Sequence, residues 1–443
     1  MSDPTPKLSR LARLGSLTGR ITSSYVGQKL KGVLTDEDAR KRAMQKLHID
    51  NARHVVETVS QMKGAAMKLG QQLAVATSAM DLPPEVASML GKLHAEAEPI
   101  PFEHIQQDVE KSLGKPLTTL FASFDRKPLG TASLAQAHAA TLHDGTRVVV
   151  KVLHRGISEN VATDLMALKA VILSSRALKR DPAEMDAIFE ELRERLEEEL
   201  DYLHEAKNLL EFGQAWANHP DIRIPRLFPE FSTDRVLTMD HLPGVPIDKF
   251  AATASPAAKQ RAGNALAELY FKSVYVHRML HSDPHPGNYL FDEDGRVGVL
   301  DFGCVKRFDE FWIAHYASAA MAAIAGDKQA CLDGCRAIDG WMGETPEAGD
   351  RLWDFIETMA VPFREKGYEL GGPADDVLDQ LPATVKAVMR YPEVRAPKDL
   401  IMLHRALTGL YTMGRKLRVR GDWGAISEAH ATHAIAYAKG WAT

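Results

Sequence analysis

Cysteine is scarce: 443 residues contain three, Cys304, Cys331 and Cys335. So few cannot frame a disulfide-stapled fold, and they point to a reducing compartment. Cys331 and Cys335 stand four apart on a predicted helix without the further ligands a zinc site needs, so they read as small buried residues. Cys304 reads as an inert small side chain, with an oxidisable thiol as the alternative. Long apolar runs are also missing. No secretory apolar region is visible, and the longest such stretch, Ile313 to Ala325, is shorter than the ~18 residues of a spanning helix. No spanning helix is expected at Ala434 to Thr443 either, so any membrane contact should be peripheral. A net charge of −5 argues against nucleic-acid binding as the main role. There is no internal repeat or low-complexity tract.

One absence is local. From Pro4 to Leu34 there is no acid among Lys7, Arg10, Arg13, Arg20, Lys29 and Lys31, and Leu8, Leu11, Leu14 and Leu17 recur every three residues. Such a segment suits an anionic membrane surface or organelle targeting. A disordered basic arm is the alternative, given Pro4, Pro6, Gly15 and Gly19.

What is present is sharper. His281-Ser282-Asp283-Pro284-His285-Pro286-Gly287-Asn288 is followed, thirteen residues after its Asn, by Asp301-Phe302-Gly303. Phosphoryl transfer depends on positioning and charge neutralisation, so it needs hard oxygen ligands for Mg²⁺ and a carboxylate near the nucleophile. Asn288 and Asp301 suit the metal, and Asp283 suits the nucleophile. Between them, Tyr289 to Phe291, the turn Asp292 to Gly295 and Arg296 to Leu300 predict a hairpin that returns Asp301 beside Asn288. His281 and His285 are read as shaping and anchoring the loop rather than binding metal.

Upstream, Thr146 to Leu153 is a β-branched run after a His143-Asp144-Gly145 turn, and Val148-Val149-Val150-Lys151 matches the strand that supplies a phosphate-binding lysine. Its carboxylate partner should lie on a following helix. Residues 184 to 213, rich in Glu, Leu, Arg and Ala, predict one long helix. At about 100° per residue, Asp201 and Glu205 nearly share a face while Glu199 points elsewhere. Glu205 is assigned to Lys151. Before the lysine strand the usual G-x-G-x-x-G is absent; Pro128 to His138 carries Gly130-Thr131-Ala132-Ser133 instead, a stiffer cover for phosphates. No A-P-E follows Asp301-Phe302-Gly303, so the usual peptide-docking platform is not expected.

Together with Lys68-Leu69-Gly70-Gln71, Glu199-Leu200-Asp201 and Glu205-Ala206-Lys207-Asn208, these motifs resemble the UbiB family of atypical kinase-like proteins over roughly residues 50 to 330. The resemblance implies an α+β, two-lobed protein-kinase-like fold with an N-terminal helical extension. It implies ATP and Mg²⁺ as cofactors, ATPase activity, and a role in ubiquinone or other prenyl-lipid metabolism. It places Lys68 and Gln71 on an extension helix folded over the acceptor site, with Glu199 and Asp201 facing them. Lys151 and Glu205, with Ala132 and Ser133 as cover, would then bind ATP. The family's loop is usually A-A-A-S; the G-T-A-S form belongs to one branch. Ser282 replaces the usual Ala or Cys before the catalytic Asp.

The expected organisation is a basic arm and extension over residues 1 to 105, a small lobe over 106 to 240 and a mainly helical lobe over 241 to 443. The small lobe's sheet is expected from Leu134 to Thr141, Thr146 to Leu153, Ile222 to Ile224 and Arg235 to Met239, with a hinge at Asp240 to Gly244. Expected partners are ATP, a prenyl lipid or membrane surface through the basic arm, and proteins of lipid biosynthesis, with no nucleic acid. The expected location is cytoplasmic and peripheral to membranes, or mitochondrial. Two rivals are a small-molecule kinase of the aminoglycoside or choline type and a non-catalytic nucleotide-binding scaffold.

Overall fold

The structure, a computed structural model, describes residues 99–131, 134–155, 200–343, 345–395 and 397–439, together with scattered positions within 16–54 and 165–197. It divides into two compact units, the first formed by residues 1–204 and 227–241, the second by 205–226 and 242–443.

In the first unit, helix α1 (Phe102–Leu113) ends at Gly114, whose φ of 72° supplies the left-handed turn that favours glycine. A short helix α2 (Leu117–Leu120) follows, then strands β1 (Ser123–Phe124), β2 (Gly130–Thr131), β3 (Ala135–Thr141) and β4 (Arg147–Leu153). β3 pairs antiparallel with β1, β2 and β4. β4 is an inner strand, pairing on its other side with Val236–Asp240. Alternation along β4 sorts its side chains: Val148, Val150 and Val152 pack with Ile105 and Val109 of α1, Phe121 and Phe228 in one core. Lys151 therefore projects from the opposite face of the sheet, in register with Ala137 and Leu237. Two buried polar side chains tie the incoming chain to β3. Gln136 accepts from the Ile100 N–H at 2.8 Å and donates to His138 Nε2 at 3.0 Å, and the His138 ring N–H donates to the Asp125 carbonyl at 2.8 Å.

Helix α3 (Tyr202–Trp216) does not continue upstream as one helix from residue 184. Leu200 is a turn, and Asp201 Oδ1 accepts from the Leu203 and His204 amides at 3.0 and 3.1 Å. An Asp that caps a helix adopts non-helical backbone, which interrupts a composition otherwise helical throughout. β5 (Ile222–Arg223) also departs from expectation: it pairs parallel with Val297–Gly298 in the second unit, not with the first unit's sheet. The predicted strand near Arg235 is present as β6 (Val236–Asp240).

The second unit is mainly helical. α4 (Ile247–Thr253) and α5 (Pro256–Tyr275) lead to β7 (Met279–His281), β8 (Tyr289–Phe291), β9 (Val297–Val299) and β10 (Val305–Arg307). α6 (Glu310–Ala325), α7 (Lys328–Ala337), α8 (Pro346–Arg364), β11 (Tyr368–Glu369), α9 (Val377–Val388), α10 (Lys398–Leu417), β12 (Arg420–Gly421) and α11 (Trp423–Lys439) complete it. Its core gathers Tyr270, Phe271 and Val274 of α5 with Ile313 and Ala317 of α6, Leu403 and Ala406 of α10 and Ala431 of α11. The apolar run Ile313 to Ala325 lies in α6, capped by Asp309 at its start and by Gly326 at its end. Among the described residues no helix is long and apolar enough to cross a membrane.

Candidate active site

Four short strands in the second unit present the site. β8 and β9 form the predicted hairpin, with Tyr289 opposite Val299 and Phe291 opposite Val297. Its turn closes with the Gly295 N–H donating to the Asp292 carbonyl at 3.0 Å, and Gly295 has a φ of 86° that a β-carbon would strain. One step beyond the hairpin, the Leu300 N–H donates to the Asn288 carbonyl at 2.9 Å, so Asp301 returns beside Asn288. β10 pairs with β7, setting Val305 opposite His281. The loop from His281 to Asn288 and the D-F-G segment are therefore held by backbone bonds before any side chain acts.

The side chains complete this arrangement. Asn288 Nδ2 donates to Asp283 Oδ2 at 2.9 Å, joining the candidate metal ligand to the candidate catalytic carboxylate. Asp301 Oδ1 accepts from the Gly303 N–H at 3.0 Å. His281 is buried; its Nε2–H donates to the Asp301 carbonyl and its Nδ1 faces the Tyr289 hydroxyl at 3.5 Å, so it is a structural anchor. Burial, aided by the negative charge of Asp283, pushes the Tyr289 phenol well above its ordinary pKa and keeps it a neutral donor. His285 Nδ1 accepts from the Gly287 amide at 3.1 Å and shapes the loop from its exposed side. The Ser282 hydroxyl donates to the Cys304 carbonyl at 3.0 Å and lies 3.1 Å from its sulfur.

Helix α3 secures the D-F-G backbone. Glu205 is buried, and its Oε1 accepts from the Phe302 N–H at 3.3 Å. Asn208, three residues on and so on the same face, donates to the Phe302 carbonyl at 2.8 Å and accepts from Arg307 at 2.9 Å. Phe302 is fully buried, its ring 5.4 Å from Phe212 and 5.9 Å from His281. Glu205, Asp283, Asn288 and Asp301 thus belong to one unit and one bonded set, while Lys151 stands on β4 of the other unit. Gly130 and Thr131 form β2, opposite Ala137 and Gln136. Ala132, Ser133, Lys68, Gln71 and Glu199 lie outside the described residues. Asp201 is described, as the cap of α3.

Sequence reasoning assigned no role to Asn208, although its spacing from Glu205 was a usable signal. It also missed Arg405 of α10, whose guanidinium lies 3.5 Å from Asp283 Oδ1. At 122 residues from Asp283, Arg405 left no local signal.

The donor set suits Mg²⁺. With its amide nitrogen committed to Asp283, Asn288 offers its Oδ1, and Asp301 offers a carboxylate. Mg²⁺ favours such a small set of hard oxygens, with phosphates and waters supplying the remainder. A carboxylate, an Asn and a D-F-G acid arranged this way define a kinase-like site on a kinase-like fold.

Comparison with known proteins agrees. A family model described as the ABC1 atypical kinase-like domain matches residues 92–334, and the chain belongs to this family, the UbiB family. It is 27% identical over 421 residues to the mitochondrial atypical kinase COQ8 of Saccharomyces cerevisiae, covering 93% of this chain and 82% of that one. It is 26% identical to the mitochondrial atypical kinase COQ8B of Rattus norvegicus, covering 92% and 77%. Identity to the AarF domain-containing protein kinase 1 of Xenopus laevis is 30%, covering 72% and 62%. Among solved structures, Rv3197 in its erythromycin complex, from Mycobacterium tuberculosis, shares the fold with a TM-score of 0.64 at 24% identity, covering 89% of this chain and 99% of that one. The chain is an atypical kinase-like protein, and its kinase-like domain implies ATP binding.

Proposed function

We propose that the chain is a Mg²⁺-dependent ATPase whose turnover supports ubiquinone or other prenyl-lipid metabolism, acting on a lipid or a partner complex rather than phosphorylating peptides. The observation that carries this reading is the joined set of Asp283, Asn288 and Asp301, in which one hairpin and one 2.9 Å hydrogen bond hold a carboxylate beside two oxygen donors. In this reading Asn288 and Asp301 hold Mg²⁺, which would neutralise phosphate charge. Lys151 serves the nucleotide phosphates, with Glu205 as its carboxylate partner, and Ala132 and Ser133 cover them. Asp283 orients a water, or an acceptor hydroxyl, by accepting its proton in a hydrogen bond. Lys68 and Gln71, facing Glu199 and Asp201, occupy the place a protein acceptor would take. The lipid connection is supported by the COQ8 relatives, and the basic segment from Pro4 to Leu34 is its proposed membrane-surface contact.

The test is MgATP hydrolysis by the full chain, with and without anionic liposomes carrying a polyprenyl quinone precursor, alongside Asp283→Asn and Lys68→Ala. Lipid-stimulated turnover that disappears in Asp283→Asn supports the proposal. Phosphate transfer to a metabolite alcohol without any lipid effect would replace it with a small-molecule kinase. Tight nucleotide binding without turnover would replace it with a scaffold.

A further inference from the structure

The loop from Asp283 to Asn288 reads Asp-Pro-His-Pro-Gly-Asn and contains neither lysine nor arginine. The carboxylate at its head nevertheless has a polar neighbour at each oxygen. Asn288 Nδ2 donates to Oδ2 at 2.9 Å, and the Arg405 guanidinium faces Oδ1 at 3.5 Å. Other cations in this unit close to the site are engaged elsewhere: Lys306 with Asp399 at 2.8 Å, and Arg307 with Glu211 and Asn208.

Arg405 is carried by a fixed element. On α10, Leu403 and Ala406 are buried in the core, and the Tyr270 hydroxyl donates to the Leu403 carbonyl at 3.1 Å. One turn beyond Arg405, Gly409 lies so close to the loop that a β-carbon there would be 2.2 Å from Cβ of Pro284. One turn and a half before it, Asp399 grips Lys306 on the strand following D-F-G. The helix thus touches the catalytic loop and the D-F-G strand, although it lies beyond the residues the family model matches. The Arg405–Asp283 pair is open to solvent, with the two side chains 42% and 35% exposed. A lone pair of that exposure adds little to stability, so a contribution to folding does not account for it.

We infer that Arg405 is a positioning residue for Asp283. Asn288 and Arg405, one on each oxygen, fix the plane of the carboxylate. The inference rests on the proposed ATPase reading and deepens it.

The experiment is steady-state MgATP hydrolysis by the full chain and by Arg405→Met, Arg405→Lys, Asp283→Asn and the Arg405→Met/Asp283→Asn double variant, with kcat and KM measured separately. Arg405→Met should lower kcat on the order of 10- to 100-fold, as expected for a displaced catalytic group, with KM for MgATP little changed. Arg405→Lys should recover part of the rate. In the Asp283→Asn background, removing Arg405 should cost nothing further, because the arginine acts through that carboxylate. A kcat for Arg405→Met within about twofold of the unaltered chain, or a full additional loss in the double variant, overturns the inference. The second result would instead make Arg405 a direct phosphate ligand. No turnover by the unaltered chain defeats the ATPase reading and this inference together, whereas turnover indifferent to Arg405 defeats only the latter.

Discussion

Replacing Gly409 with alanine should impair turnover far more than stability. A β-carbon at this position would lie 2.2 Å from Pro284 Cβ, 2.7 Å from its Cγ and 3.1 Å from its carbonyl oxygen. Carbon atoms pack at about 3.5–4.0 Å, so helix and loop must separate by about 1.3 Å or more. Overpacking of this kind costs about 1–3 kcal/mol, while alanine gains about 1 kcal/mol over glycine inside a helix. The net loss should be roughly 0–2 kcal/mol, readable as a lower urea midpoint. Pro284 is bonded directly to Asp283, however, and a catalytic group displaced by about 1 Å can lose on the order of 10²-fold in rate. Gly213 provides the control. It lies inside helix α3, and a β-carbon there meets nothing within 4 Å, so Gly213→Ala should stabilise by about 1 kcal/mol and leave hydrolysis intact. The assay is urea unfolding paired with MgATP hydrolysis for both variants. If Gly409→Ala behaves like Gly213→Ala, stabilised and fully active, the contact of α10 with the catalytic loop is refuted.

Asn208→Ala removes the donor to the buried Phe302 carbonyl and the acceptor for Arg307, and should destabilise by about 1–3 kcal/mol in urea unfolding; an unchanged midpoint would contradict the bonding described. Burial, reinforced by nearby Lys272, His430 and His433, lowers the His277 pKa to about 4, and burial lowers that of His404 to about 4. Both are depressed in the folded chain, so the unfolded chain binds more protons below the ordinary histidine value of about 6.5. Their contribution to stability is therefore full above that value and lost as pH falls toward 4. Between pH 7 and pH 5 the urea midpoint should drop, and His277→Gln should make the drop shallower; a midpoint that rises on acidification would contradict both assignments.

The parts of the fold that could be read in the sequence are those specified locally. A β-branched run after a Gly-containing turn marked β4 to within a residue, with β3 before it, and the turn from Asp292 to Gly295 marked the β8–β9 hairpin and hence the return of Asp301 to Asn288. What could not be read depends on distant partners. Ile222–Arg223 looks like any short apolar strand, and only its parallel pairing with Val297–Gly298 assigns it to the second unit. The interruption before α3 was hidden because Glu- and Leu-rich composition continues across it, and the capping role of Asp201 depends on its backbone rather than its neighbours' chemistry. In the site, the juxtaposition of Asn288 and Asp301 with Asp283 was legible from spacing. Their second layer was not: Arg405 and Gly409 reach Asp283 and Pro284 through the packing of α10, across more than a hundred residues of chain.

Calorimetric titration of the full chain with ATP, in Mg²⁺ and again with the metal chelated, tests the central claim most directly, with Asp301→Asn and Lys151→Met in parallel. The account predicts one saturable site that requires Mg²⁺, is weakened by Asp301→Asn because a hard oxygen ligand is lost, and is weakened by Lys151→Met because phosphate charge is left uncompensated. No binding, or binding of equal strength with the metal chelated and in both variants, would contradict it.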